Sequence, residues 1–174
     1  MAEGTRIAAQ AASTTATTAT ACAALLAQVG QEVHVSDWLL VTQQRVDAFA
    51  EATGDHQWIH VDPARASRES PYGGPIAHGY LTLSLHILLR GLVSAERPYA
   101  PGVVGIVNYG LDKLRFSNAV RVGARIRGRF VLLGATVVAP NVLQVSERYT
   151  VEIEGESKPG CVAESIFRLI FAAS

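Results

Sequence analysis

The stretch from Ile76 to Val93 leaves the chain the least freedom. Leu81, Leu83, Leu85, Ile87, Leu88, Leu89, Leu92 and Val93 place apolar side chains almost all round a helix drawn through it. A helix with no polar face must be enclosed by other structure. The sequence beyond it supplies the enclosure. Val103–Phe116 is β-rich, and Val122, Ala124, Ile126, Phe130 and Leu132 then alternate with Arg121, Arg125, Arg127 and Arg129. Leu143, Val145, Tyr149, Val151 and Ile153 alternate with Gln144, Ser146, Arg148, Thr150 and Glu152 before a last strand over Val162–Phe171. Gly134–Asn141 and Gly155–Gly160 read as hairpin turns. One long buried helix followed by long antiparallel strands predicts an α+β architecture, a sheet curled around one central helix. Such a sheet keeps an open edge, which predicts a dimer.

Upstream, Val33, Val35 and Leu39 suggest a short strand or extended lead-in over residues 31–41. Thr42 reads as an N-cap. Val46, Phe49, Ala50 and Thr53 recur at helical spacing until Gly54 stops them. A polar loop is expected from Asp55 to about Asp62, a short helix starting at Pro63, and loop chemistry through Ser67, Ser70, Gly73 and Gly74. Residues 1–30 read as an Ala/Thr-rich tail, flexible or weakly helical, and 31–174 as a single domain. The tail lacks the basic start and Leu-rich core of a secretory signal and the several arginines of a transit peptide. A cytoplasmic location is therefore expected, with an organellar address by the tail as the other reading.

The overall balance excludes several function classes. Fifteen basic and fifteen acidic residues cancel, unlike the basic balance of a nucleic-acid binder. No apolar run reaches the roughly 18–20 residues of a membrane span. Cys22 and Cys161 make neither a disulfide framework nor a zinc-spaced cluster, so two idle thiols and no metal are expected.

Chemistry concentrates in Gly54-Asp-His-Gln-Trp-Ile-His-Val-Asp-Pro63. Asp55 and His60 lie five residues apart on a loop leaving a helix, and a carboxylate and an imidazole that converge can grip one water molecule and move its protons. Gly79, near the start of the buried helix, offers a backbone N–H where charge on a carbonyl oxygen needs a donor. The Asp/His spacing alone is a weak pattern, since such loops are commonly plain solvated turns.

This segment, followed by Pro75-Ile76-Ala77-His78-Gly79 and by Phe116–Arg127 with Val122-Gly123 inside it, resembles the signature of MaoC-like dehydratases, the type-2 enoyl-CoA hydratases. The likeness runs from about residue 31 to 172. It implies a hotdog fold and a homodimer or double hotdog. It also implies (R)-specific, reversible hydration of trans-2-enoyl-CoA to (R)-3-hydroxyacyl-CoA in fatty-acid metabolism. Carried over by position, Asp55 and His60 are the catalytic pair and the Gly79 N–H is the oxyanion donor. No cofactor is implied; an acyl-CoA or acyl-carrier thioester is itself the substrate, and the charge balance and hydropathy predict no nucleic-acid partner and no membrane span. Where many members have Asn-Pro, this chain has Gln57-Trp58, which leaves the catalytic spacing intact and bears on substrate preference.

Gln57, Trp58, His78 and Tyr72 are candidate pocket residues, the last on a Gly-rich lip. His86 reads as a satisfied core histidine, and His56 as pointing away from the pair. The arginine row at 121, 125, 127 and 129 reads as a solvated strand face, and no phosphate site is assigned from it. Two rival functions share the fold, an acyl-CoA thioesterase and a non-catalytic acyl-CoA-binding module. Hotdog thioesterases generally carry an acid on the central helix, and Ala77–Val93 has none.

Overall fold

The computed structural model describes residues 17–92 and 98–172. The first described element is a helix over residues 17–26, α1. Two short strands follow, β1 (Glu32–Val35) and β2 (Leu39–Leu40). Helices α2 (Gln43–Thr53), α3 (Trp58–Val61) and α4 (Pro63–Glu69) lead to the central helical segment, α5 (Gly79–Ser84) and α6 (His86–Arg90). The chain closes with β3 (Val103–Arg115), β4 (Arg125–Ala139), β5 (Val142–Ile153) and β6 (Cys161–Phe171).

All strand pairs are antiparallel, in the order β1-β4-β5-β6-β3, with β2 also on β4. Period-two alternation decides which face is buried. Ile126, Phe130 and Leu132 of β4 and Leu143, Val145, Tyr149 and Val151 of β5 are fully buried beneath the helical segment and its surroundings. The opposite face of β4 carries the arginines. Arg125, Arg127 and Arg129 bond across to Glu154, Glu152 and Glu32 at 2.8–3.1 Å. The expected solvated strand face is therefore a ladder of ion pairs.

The caps fall where the sequence puts them. The Thr42 side chain accepts from the Arg45 N–H, Gly54 closes α2 in the left-handed region at φ 78°, and Asp62 caps α4 with Pro63 in its first turn. Other expectations need correction. The central helix is not one long rod from Ile76: helical turns begin at Gly79 and break at Leu85, where φ −70°, ψ −4° tightens the chain before α6. Ile76 and Ala77 are instead held extended by β-type bonds to the segment before β4. Val93 lies outside the described residues. The helix is also not enclosed all round, because Tyr80, Ser84 and Leu88 form an exposed stripe. The loop expected over 55–62 contains α3, α4 runs to Glu69, and β4 continues through the expected turn to Ala139.

Residues 1–16 of the expected tail lie outside the described residues, but 17–26 are packed. Thr18, Ala21, Cys22 and Leu25 recur at helical spacing and face inward, and Leu25 joins Leu132, Leu143, Phe167 and Phe171 in a core cluster. A stripe that weak reads as low complexity until something packs on it. Cys161 is buried, which pushes its thiol pKa up to about 11.

The far end of α6 is fixed by a buried ion pair. Glu147 of β5 is 0% exposed and accepts from the Arg90 Nε and Nη2 at 3.0–3.2 Å and from the Tyr99 hydroxyl at 2.7 Å. Ser165 bridges the Glu147 carbonyl and the His86 ring, and burial holds His86 neutral, with its pKa lowered to about 4. Removing one partner of a buried pair strands the other charge. Arg90→Met should therefore cost about 3–5 kcal/mol, read from urea unfolding midpoints, whereas a loss within error would show that Glu147 is not held by charge.

Candidate functional site

The site is assembled by three short connections. Gly54 ends α2 and turns the chain into Asp55. Gln57 then donates its backbone N–H and its Nε2 to the same Asp55 carboxylate oxygen, at 3.4 and 3.1 Å. Those hydrogen bonds, the side-chain one foremost, hold the Asp55 carboxyl below the usual carboxylate range and keep it an ionised acceptor. Gln57 thus acts on Asp55.

His60, in α3, is 6% exposed. Its Nδ1 lies 2.7 Å from the Ile76 carbonyl oxygen. A carbonyl only accepts, so Nδ1 carries the proton and Nε2 presents a lone pair. Burial lowers the His60 pKa below its ordinary 6.5, and the neighbouring His78 pushes the same way. Gln43 of α2 donates to the His60 backbone carbonyl at 2.7 Å, tying α3 to α2.

His78 precedes α5 and is 3% exposed. Its Nε2 donates to the Asp55 backbone carbonyl at 2.9 Å, and its Nδ1 is buried with no hydrogen-bond partner. The His60 and His78 rings stack at 3.8 Å with 28° between their planes. One atom each of Asp55, His60 and His78 lies within 4.8 Å of the others. Such a set can hold a water at hydrogen-bond distance. A zinc-like ion would need in-plane bonds of about 2.0–2.1 Å from both rings, and near-parallel stacked rings do not aim their lone pairs at one point.

Gly79 opens α5, so its N–H has no acceptor within the helix. A Cβ at this position would sit 2.9 Å from the Phe116 ring, which requires glycine here. His60 and Gly79 both line two cavities. One, of about 360 Å³, is bordered by Tyr72, Ile76, Phe116, Ser117 and Val120; the other, of about 220 Å³, by Phe49, Asp55, His78 and Tyr80. The two spaces meet at the imidazole and the helix-start N–H. Tyr72 thus borders the larger of the two cavities. Trp58 does not; it stacks under the Arg65 guanidinium at 4.4 Å. His56 faces Glu51, away from the pair. Phe116 was not singled out from sequence, because only the fold lays it across Gly79.

The family model of the MaoC-like domain matches residues 24–154. The chain is 46% identical over 146 residues to 3-hydroxyacyl-thioester dehydratase Z of Mycobacterium tuberculosis, covering 84% of this chain and 93% of that protein. It is 46% identical over 138 residues to Nodulation protein N of Rhizobium meliloti, covering 79% and 84% respectively. Among solved structures, the (R)-hydratase from A. caviae involved in PHA biosynthesis superposes with a TM-score of 0.64 at 23% identity, over 81% of this chain and 96% of that one. The shared fold is the hotdog.

The His60 environment makes a direct prediction. In an NMR titration its ring should titrate below 6.5, and Asp55→Asn should lower the midpoint further, since the carboxylate favours the imidazolium. A midpoint above 7 in the wild type would contradict the burial argument.

Proposed function

Because the chain belongs to the MaoC-like dehydratase family, we propose that it carries out the reversible (R)-specific hydration of a trans-2-enoyl thioester to a (R)-3-hydroxyacyl thioester. The coarser statement rests on the family: the chain is a hydro-lyase, a hydratase/dehydratase of fatty-acid-type metabolism. The observation that carries the finer reading is the convergence of three groups where the two cavities meet: an ionised carboxylate, an imidazole nitrogen with a free lone pair, and a helix-start N–H.

One water donates to the Asp55 carboxylate and to His60 Nε2, which leaves an oxygen lone pair directed at substrate. Attack at C3 forms the C–O bond and breaks the C2=C3 π bond, and electron density moves onto the thioester oxygen, where the Gly79 N–H receives it. The proton released by the water passes through the Asp55/His60 pair to C2, so H and OH add to one face. Asp55 and His60 act as a coupled pair. The Gln57 hydrogen bonds favour the ionised carboxylate that first accepts from the water. The reaction needs no metal or redox cofactor, and the CoA or carrier arm belongs to the substrate. Ala77–Arg90 offers no acid for the rival thioesterase chemistry.

We also infer a homodimer. Among the described residues strand β3 pairs only with β6, and Val104, Val107, Tyr109 and Leu111 are exposed on it beside the open Tyr80–Leu88 stripe of the helix. Unpaired edge and apolar stripe together predict that a second copy covers both. No helix among the described residues is long and apolar enough to cross a membrane.

Two measurements test these readings. Loss of enoyl-thioester absorbance with trans-2-enoyl-CoA should be rapid in the wild type. Asp55→Asn and His60→Ala should each slow it by at least about a hundredfold, and near-wild-type rates in both would defeat the mechanism. Sedimentation equilibrium should give twice the chain mass, and a fully active monomer would defeat the dimer.

A further inference from the structure

The four arginines of the row are alike in sequence and unlike in the structure. Arg125, Arg127 and Arg129 each spend their charge on Glu154, Glu152 or Glu32. Arg121 has no carboxylate within ion-pair distance among the described residues. Its Nη2 donates to the Gly73 carbonyl at 2.8 Å, and that nitrogen lies so close to the Gly73–Gly74 turn that a Cβ on Gly73 would be 3.4 Å away. The turn is therefore latched by Arg121 and carries Tyr72 at the cavity edge. The backbone of Arg121 bridges Ile76, the residue whose carbonyl receives His60. One of the five guanidinium N–H groups is used by Gly73, and the remainder are left in an exposed position.

Two further exposed cations without carboxylate partners among the described residues, Arg115 and Lys158, belong to segments that border the same cavity, and the Arg115 Nη1 donates to the Leu114 carbonyl at 2.7 Å. Arg115 directly precedes Phe116 and Ser117, which line the cavity. Lys158 stands two residues before the lining Gly160, and its carbonyl accepts from Asn118, another lining residue. The adjoining Ser117 hydroxyl donates to the Pro159 carbonyl, which joins the two segments. Glu154, at the start of the same turn, is already taken by Arg125. Among the described residues, three of the cations without an ion pair, Arg121, Arg115 and Lys158, thus fall on the segments that border one cavity.

We propose that Arg121, assisted by Arg115 and Lys158, forms a binding site for the phosphate ester of the substrate's carrier arm, outside the cavity that holds His60 and Gly79. Guanidinium groups bind phosphate oxygens through charge-assisted, often paired hydrogen bonds. The proposal rests on the thioester reading of the site. The phosphate belongs either to the nucleotide end of CoA or to a phosphopantetheine arm of the kind a carrier protein bears.

Steady-state hydration of three thioesters with one acyl group separates the cases: the CoA, phosphopantetheine and pantetheine forms. Arg121→Gln should raise KM for the CoA thioester about tenfold more than KM for the pantetheine thioester, the part common to both reporting the lost bond to the Gly73 carbonyl. Arg121→Lys should recover part of the loss. An equal rise with phosphopantetheine assigns the site to the phosphate of the arm, and a rise with CoA alone assigns it to the nucleotide phosphates. An equal change in all three substrates would reduce Arg121 to a latch for the lip, and no change in any would leave it idle; either result overturns the proposal. Calorimetric titration of CoA into the wild type and Arg121→Gln reads the site without turnover. Arg121-dependent CoA binding in a protein that hydrates nothing would sink the reaction reading and keep this one. Efficient hydration with equal CoA affinity in both proteins would do the reverse.

Discussion

The hydrogen bond from His60 Nδ1 to the Ile76 carbonyl ties the functional part of the molecule together. At 2.7 Å and out of solvent, it fixes the tautomer of the imidazole and the side of the ring that carries the lone pair. Ile76 is itself held from three directions. Its N–H bonds the Ile59 carbonyl, its backbone bridges Arg121, and its neighbours Pro75 and Ala77 bond Val122 and Val120. The short extended piece Pro75–Ala77 therefore joins α3, the segment before β4 and the start of α5. His60 and Gly79 take their relative position from it.

A second anchor keeps that arrangement from sliding. The helical segment begins at Gly79 and ends where Arg90 meets Glu147. An ion pair in this setting contributes little net energy over an apolar substitute, yet it penalises any register that leaves either charge alone. The helix start is thereby placed against Phe116, whose ring occupies the space a side chain on Gly79 would need. Packing at one end of the helix and charge at the other set the location of a single N–H.

Much of this was legible beforehand, for reasons that belong to particular residues. Thr42, Gly54 and Pro63 announce helix ends through local backbone chemistry, and the structure puts ends at those places. The alternation of β4 and β5 gives the buried face, because a strand's side chains reverse at each residue. Periodicity misjudged the central helix, since an apolar run does not reveal that Ile76 and Ala77 are needed as extended backbone, nor that a kink falls at Leu85. The α1 stripe of Thr18, Ala21, Cys22 and Leu25 is too weakly apolar to stand out from its Ala/Thr surroundings without the sheet it covers.

The sequence by itself determined the ends of α2, the start of α4, the buried faces of β4 and β5, and a motif specific enough to indicate a family. These follow from local bonding and from residue spacing along one chain. The tertiary structure alone decided that Gln57 serves Asp55, that Trp58 lies beneath Arg65, that His78 stacks on His60 with an unpartnered nitrogen, and that Arg121 meets the Gly73 carbonyl and no carboxylate among the described residues while its three neighbours are ion-paired. Each of these depends on which distant groups a side chain meets once the chain is closed. A hydrogen bond or ion pair acts over about 3 Å, and no spacing in sequence encodes a contact of that range between separate elements.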